Sequence, residues 1–319
     1  MASRATPSKA ALRLLVPAAD LAPRKSAAVQ LDAAMHPARA FGAIAAAGLF
    51  QLSANAPGVL TSNNPEFIHQ MRVALRRLRS ALHLFGAYLP QDLIQEGSAE
   101  LQWLTQLLGQ ARDHDVLITQ TLPRALRTPT ARRAGAAERA LGAALAPRRA
   151  ACLAAVRKAL RSRRYRALLH RLAEAVRLLQ QHQTVGVGGK ANLRDFASRK
   201  LRQSGKKLRV TPRGLAALSS GERHHFRIAA KRLRYAVEFF SPLFKAGPAR
   251  RYARPLADLQ DALGMLNDHA VALNLLSDLR VAPHHLLAAQ THLHEEDRKW
   301  LAQAVAAQRR LLRAQPFWD

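Results

Sequence analysis

A chain of 319 residues, 49% of them hydrophobic, is long enough for one large core or two ordinary ones. Aromatics are only 5% and Ala, Leu and Arg dominate, which argues against a β-rich fold; the single cysteine, Cys152, excludes an intrachain disulfide or a cysteine-built zinc site. The formal net charge of +29 points to anionic partners: nucleic acid, inorganic polyanions or an acidic membrane surface.

Residues 1–35 read as a flexible N-terminal extension. Their short apolar patch is interrupted by Pro17 and Asp20 before it resembles a secretory core. A first helix is expected from Pro37, a good first-turn residue, to about residue 54, followed by a breaker-rich loop, NAPGVLTSNN, at 55–64. A second helix starts at Pro65 behind Asn64 as N-cap and ends before Pro90. A third covers about 91–108 and stops at Gly109, and another covers 114–127. Longer helical pattern fills 131–182, interrupted at Pro147.

Three glycines in residues 183–192 mark a flexible linker between a first half, 36–182, and a second half, 193–315. The second half predicts helices over 192–210, from Ser219 or Ser220 to near Pro242, over 248–264 and 267–280, and from Pro283 to about 313. Nothing alternates as a strand would, and no apolar run approaches the roughly eighteen residues of a membrane span. The short connections imply all-α helical bundles. With one cysteine and no leader, the expectation is a cytoplasmic protein.

Two stretches repeat each other. Residues 69–85, HQMRVALRRLRSALHLF, align without gaps on residues 224–240, HHFRIAAKRLRYAVEFF, with eight of seventeen positions identical. The same offset of 155 carries Leu108-Gly109 onto Leu263-Gly264, Asp113-His114 onto Asp268-His269, and Arg39 and Phe41 onto Arg194 and Phe196. One offset serving separated matches reads as an internal duplication. The charge agrees: each half carries a net +13.

At about 100° per residue, His69, Arg72, Arg76, Arg79 and His83 share one helix face, with Met71, Leu75, Leu78, Leu82 and Phe85 opposite as the core stripe. The second copy places His224, Arg227, Lys231 and Arg234 in the same way. Ten residues of helix span about 15 Å, which makes each stripe a rail. Guanidinium forks suit phosphate oxygens, and a row of them suits a chain of phosphates. Carboxylates at i+4 that would neutralise these arginines are nearly absent, Glu238 excepted. Arg199, Arg202, Lys206 and Arg209 form a further row, and Arg157, Arg161, Arg164 and Arg171 another, which on its own reads as a solvated face. Asp113 and Asp268 are expected to be structural, capping a helix or orienting an arginine.

The two H-x-x-R-x-x-x-[RK]-R-L-R segments, each followed by an LG-containing Asp-His segment (LGQARDHDV and LGMLNDHAV), resemble the CHAD domain, the conserved histidine α-helical domain, over roughly residues 36–315. The resemblance implies two pseudo-twofold-related four-helix bundles with a basic surface or central pore between them. It also implies binding of inorganic polyphosphate and localisation to polyphosphate-rich bodies; a scaffold on storage granules of another kind, where apolar helix faces meet a lipid-like surface, is a separate reading. Carried over by position, the polyphosphate-binding residues are His69, Arg72, Arg76, Arg77, Arg79, His224, Arg227, Lys231, Arg232 and Arg234. His83, Arg112, His114, Arg199, Arg202, Lys206, Arg209 and His269 join them as further anion-binding candidates. Asn267 stands opposite Arg112 and Ala270 opposite Asp115, so the two halves are not equivalent.

Two other functions compete. A nucleic-acid binder shares the electrostatics, but aromatic stacking platforms are missing from the basic rows. A metal-dependent phosphohydrolase has its best cluster at His292, His294, Glu295 and Glu296, but the 292/294 spacing puts the imidazoles on different helix faces. The reading is therefore of a binding protein without catalytic residues, metal or cofactor. Nucleic acid is a secondary partner, and the oligomeric state is open.

Overall fold

The computed structural model describes residues 21–126, 131–181, 192–209 and 214–319, and among these the secondary structure is entirely helical. The helices are α1 (Pro37–Thr61), α2 (Pro65–Phe85), α3 (Gln91–Val116), α4 (Leu122–Ala125), α5 (Ala131–Arg161), α6 (Arg163–Gln181), α7 (Leu193–Lys206), α8 (Ser220–Phe240), α9 (Ala246–Ser277) and α10 (Pro283–Arg313). A π-helical turn, Leu117–Thr121, links α3 to α4.

The starts follow local chemistry. The Asn64 side chain accepts from the Glu66 amide at 2.9 Å ahead of Pro65. Ser219 caps α8 in a capping box with Glu222.

Several expected breaks are absent. Residues 55–61 continue α1, with Pro57 inside it, because Asn55 and Gly58 serve packing and not a turn. Asn55 is fully buried and exchanges hydrogen bonds with the backbone of Arg24. A Cβ on Gly58 would lie 2.3 Å from the Phe67 ring, so only glycine lets α1 and α2 approach this closely. Gly109 does not end α3, Pro147 does not end α5, and the helices expected at 248–264 and 267–280 are one helix, α9. The break in the 131–182 pattern falls at Ser162 instead.

Helices α1, α2, α3, α5 and α6 pack together, as do α7, α8, α9 and α10. The two sets meet where α2 crosses α8 and α3 touches α9. They are not separate modules with separate cores. Phe41, Phe85, Phe196 and Phe240, from α1, α2, α7 and α8, form one ring cluster, with Phe85 at 6.1, 5.1 and 5.6 Å from the other three. All four are at most 2% exposed. Such aromatic contacts add about 0.5–1.5 kcal/mol each beyond area burial. A smaller core of Leu117, Leu122, Leu141, Leu276 and Leu293 ties α4 and α5 to α9 and α10.

Two segments flanking the helices reach further into the fold than expected. Residues 21–35 are not a free extension: Leu21, Val29, Leu31 and Met35 pack against the core. Beyond residue 315, Phe317 and Trp318 are buried, and Trp318 meets Tyr252 edge to face at 4.7 Å. The linker expected at 183–192 lies outside the described residues apart from Asn192, which caps α7. Against the expectation of no long apolar run, α1 has the length and apolarity of a membrane span. However, 56% of that window is buried inside the protein, where Ala40, Ile44 and Leu52 belong to the core.

Candidate functional site

The apolar backs of the two repeated helices are core: Met71, Leu75, Leu78, Leu82 and Phe85 are at most 3% exposed, and Leu233 and Phe240 are fully buried. This turns the basic stripes outward. Because α2 and α8 cross, the N-terminal parts of the two stripes do not form two rails. They converge on one cleft of about 680 Å³. His69, Arg72 and Arg76 enter it from α2, Arg227 and Lys231 from α8, Arg112 and Asp113 from α3, and Gln260, Asp261 and Asp268 from α9.

The cleft is held in place by specific contacts. Arg76 donates from Nε to the Tyr235 hydroxyl at 3.1 Å, across the α2–α8 crossing. Arg72 faces Asp113, 3.9 Å away. A Cβ on Gly109 would sit 2.9 Å from an Arg72 guanidinium nitrogen, so the LG motif leaves room for this arginine to lie against α3. The buried Nε of Arg227 and Oε1 of Gln260 have no hydrogen-bond partner among the described residues.

Electrostatically the site is under-neutralised. Among the described residues, Arg72 is the one cleft cation with a carboxylate within 4 Å, while Arg76, Arg112, Arg227 and Lys231 have none. Burial, reinforced by Arg227 and Arg76, pushes the Lys231 ammonium down to about 7. Burial also lowers His69, helped by Arg112, Arg76 and Arg72, and lowers Arg72 and Arg227 despite the attraction of Asp113 and Asp268. Asp113 moves the other way. Burial and nearby Asp268 raise it against the pull of Arg72. Both recurrent aspartates thus line the cleft, Asp113 facing Arg72 and Asp268 acting electrostatically on Arg227 without an ion pair among the described residues.

The other sequence-predicted residues distribute differently. Arg77 is a correction: it is 5% exposed, pairs with Glu238 and lies 5.2 Å from the Phe239 ring centre, so it stitches α2 to α8 beneath the cleft. His114 and His269 are corrections too. His114 is buried with Nδ1 against the Gln110 carbonyl at 2.9 Å, and buried His269 bonds Asp297 at 2.7 Å. Arg79, His83 and Arg232 are exposed and lie outside the cleft, where Arg232 acts electrostatically on both Arg79 and His83. Arg234 faces Asp261 at 3.6 Å. His224 is exposed beside the cleft, lowered by partial burial and by Arg227.

On α7, Arg199 and Lys206 are exposed and Arg202 binds Asp319 at 2.9 Å; Arg209, also exposed, follows the helix. None of these lines the cleft. The row on α5 and α6 is structural. Arg157 donates to the carbonyls of Val59 and Ser62 at the end of α1, and Arg164 and Arg171 pair with Glu100 and Glu96. His292 is half-buried and His294 exposed, on different sides of α10. No group of three His, Cys, Asp or Glu side chains is arranged to hold a metal ion among the described residues.

Sequence reasoning missed Tyr235, Gln260 and Trp300, all at or beside the cleft. Tyr235 follows Lys231 by four residues, one turn along the same face, and that spacing was the available signal. Trp300 arrives from α10 with no motif to announce it.

No curated protein matches this chain. Among solved structures it is similar to the CHAD domain from the plant Ricinus communis, with TM-score 0.76 and 31% identity over 92% of this chain and 98% of that one. It also has the fold of PptA from Streptomyces chartreusis, with TM-score 0.60 and 19% identity over 87% of this chain and 98% of that one. The family model of the CHAD domain matches residues 43–277, most of the chain and all the helices that build the cleft except α10. The chain therefore belongs to the CHAD domain family.

Proposed function

We propose that this protein binds inorganic polyphosphate in the α2–α8 cleft and does so without turning it over. One observation carries the reading: Arg76, Arg112, Arg227 and Lys231 converge with no carboxylate within ion-pair distance among the described residues. A chain of phosphates supplies the missing negative charge at several points at once, and arginine forks take phosphate oxygens bidentately. The exposed basic residues beyond the cleft, Arg79, His83 and Arg232, extend the path for a long ligand. A cleft of about 680 Å³ lined from α2, α3, α8 and α9 surrounds a thin flexible phosphate chain more fully than the outside of a duplex, which favours inorganic polyphosphate over duplex nucleic acid.

Among the described residues no group of three His, Cys, Asp or Glu side chains is placed to hold a metal ion, which supports a reading of sequestration without turnover. A cytoplasmic protein of this kind would localise to polyphosphate granules. The test is a competition at fixed salt, in which labelled long-chain polyphosphate is displaced by unlabelled polyphosphate, ATP, tRNA or duplex DNA. Polyphosphate should win at equal phosphate concentration. Equal displacement by all four would reduce the protein to a generic cation, and sustained phosphate release with magnesium, manganese or zinc would make it an enzyme.

A further inference from the structure

A second, larger groove of about 1050 Å³ lies at the other end of α9, between the start of that helix, the end of α10 and the C-terminal segment. It shares no lining residue with the α2–α8 cleft. Its walls are of two kinds. Arg194, Lys245, Arg251, Arg254 and Arg313 are all exposed cations and have no ion pair among the described residues. The two carboxylates of the groove are already engaged: Asp258 binds Arg310 at 3.0 Å, and Asp319 binds Arg202 at 2.9 Å. Five cations without ion pairs among the described residues line the groove against two carboxylates that are already paired, so an anion is the occupant the groove favours.

The other wall is apolar and aromatic. Half-buried Phe244 forms its ring surface, backed edge to face at 5.3 Å by the buried Phe317, with half-buried Pro248 and Pro316 at its border. The Arg194 guanidinium lies 5.5 Å from the Phe244 ring centre. The groove thus sets a guanidinium over an aromatic ring, and both are groups on which a flat heterocycle can pack. Trp318, Tyr252 and Phe317 pack together behind it, with ring centres 4.7–5.9 Å apart, so the wall is anchored in the core. Inorganic polyphosphate has no apolar part and would leave this wall unused. A nucleoside phosphate has both parts: a base for the ring wall and phosphates for the arginines on α9 and α10.

We propose that this groove is a nucleoside-phosphate site, separate from the polyphosphate cleft. The ligand is either a free nucleoside triphosphate or the end of an RNA chain, which present the same chemistry. The proposal is independent of whether the α2–α8 cleft binds polyphosphate.

The experiment is equilibrium titration of the full chain with ATP, inorganic tripolyphosphate and a ten-residue oligouridylate, in parallel with single variants. Arg254→Ala and Arg313→Ala are each expected to weaken ATP at least about tenfold. Arg72→Ala and Arg76→Ala, in the other cleft, should weaken ATP less than either groove variant does. Phe244→Leu keeps the apolar bulk and removes the aromatic face. It should weaken ATP several-fold and leave tripolyphosphate unaffected, with thermal melting checking that the variant is folded. Tighter binding of ATP than of the oligouridylate names the free nucleotide as ligand, and the reverse order names RNA. The proposal fails if neither binds, if Phe244→Leu weakens tripolyphosphate as much as ATP, or if the arginine variants of the two clefts weaken ATP equally.

Discussion

Arg76 on α2 donates a hydrogen bond to the hydroxyl of Tyr235 on α8 at 3.1 Å, joining residues 159 apart in sequence. Tyr235 sits one turn beyond Lys231, so the bond holds the Arg76 guanidinium alongside that lysine. Two cations are kept together that would otherwise separate, and the structure gains a site from a hydrogen bond that adds little stability.

Tyr235→Phe removes this hydrogen bond and no charge. A hydrogen bond to a charged group is worth about 1.5–3 kcal/mol, and at the low end of that range polyphosphate affinity should fall about tenfold. Arg76→Ala should cost more, and the double variant should add little to Arg76→Ala alone. Affinities of the four proteins measured at one salt concentration check this. Strict additivity would mean that the bond has no part in positioning Arg76.

Arg77 has the opposite role to its neighbour. It is buried, paired with Glu238 and set against Phe239. Breaking a buried pair costs about 3–5 kcal/mol. Glu238 remains 42% exposed, which sets the expectation at or below the low end. Arg77→Met should therefore lower the melting temperature by several degrees and leave polyphosphate affinity within about twofold. Preserved melting with lost binding would return Arg77 to the ligand.

The contrast between Arg76 and Arg77 shows what was legible in the sequence. Helical period alone separates residues 72, 76 and 79 from the buried back of α2, and the core stripe Met71, Leu75, Leu78, Leu82 and Phe85 is buried as the spacing requires. Position 77 lies between the two faces, so its partner decides its role, and that partner comes from α8. The crossing of α2 over α8 is a tertiary fact. It turns two separate rails into one cleft, brings Arg112 in and leaves Arg79 and Arg232 outside. His114 and His269 recur in the sequence, yet both are buried against α5 and α10 partners that no motif marks. Gly58 and Gly109 misled the helix boundaries for one shared reason: each is small to admit a neighbouring side chain, which local sequence cannot distinguish from a turn.

Gly109 gives a sharp test of that reason. Gly109→Ala adds a methyl 2.9 Å from an Arg72 guanidinium nitrogen, which must move. The same change stabilises a helix interior by about 0.5–1 kcal/mol. Helix stability should therefore rise or hold while polyphosphate affinity falls several-fold. Unchanged binding would show that Arg72 acts from another position.

Arg72→Ala and Arg227→Ala should each weaken polyphosphate at least about tenfold. Each should also flatten the dependence of log affinity on log salt, by about one for every phosphate left without its cation. Arg202→Ala, whose side chain is engaged with Asp319 outside the cleft, should change neither quantity by more than about twofold. A salt series on the three variants makes the comparison. Equal effects from all three would indicate diffuse charge and not a site.

Lys231 ties the cleft to pH. In the free protein its ammonium is pushed from 10.5 down to about 7 by burial and by Arg227 and Arg76, with Asp268 pulling back. A bound polyanion favours the charged form and raises it again, so binding above neutrality takes up a proton. Affinity should fall as pH rises through 7, by up to about tenfold per pH unit, until the pKa of the complex is passed. His69 and His224 are also lowered in the free protein, so the Lys231→Arg variant separates their contribution to the slope from that of Lys231. The effect on folding has the opposite sign. Between pH 7 and 10.5 the unfolded lysine holds a proton that the folded one has lost, so the folded state is progressively disfavoured on going down through that window and the unliganded fold gains stability as pH rises through it. Lys231→Arg keeps the charge at every pH in the window. It should bind polyphosphate with a flat profile from about pH 7 to 9, and Lys231→Met should bind weakly and melt higher near pH 7. Affinity and melting curves for the three proteins across about pH 6–9.5 decide the matter. A flat profile for the unaltered chain would mean that Lys231 is already charged in the free cleft and that the other cations do not suppress it.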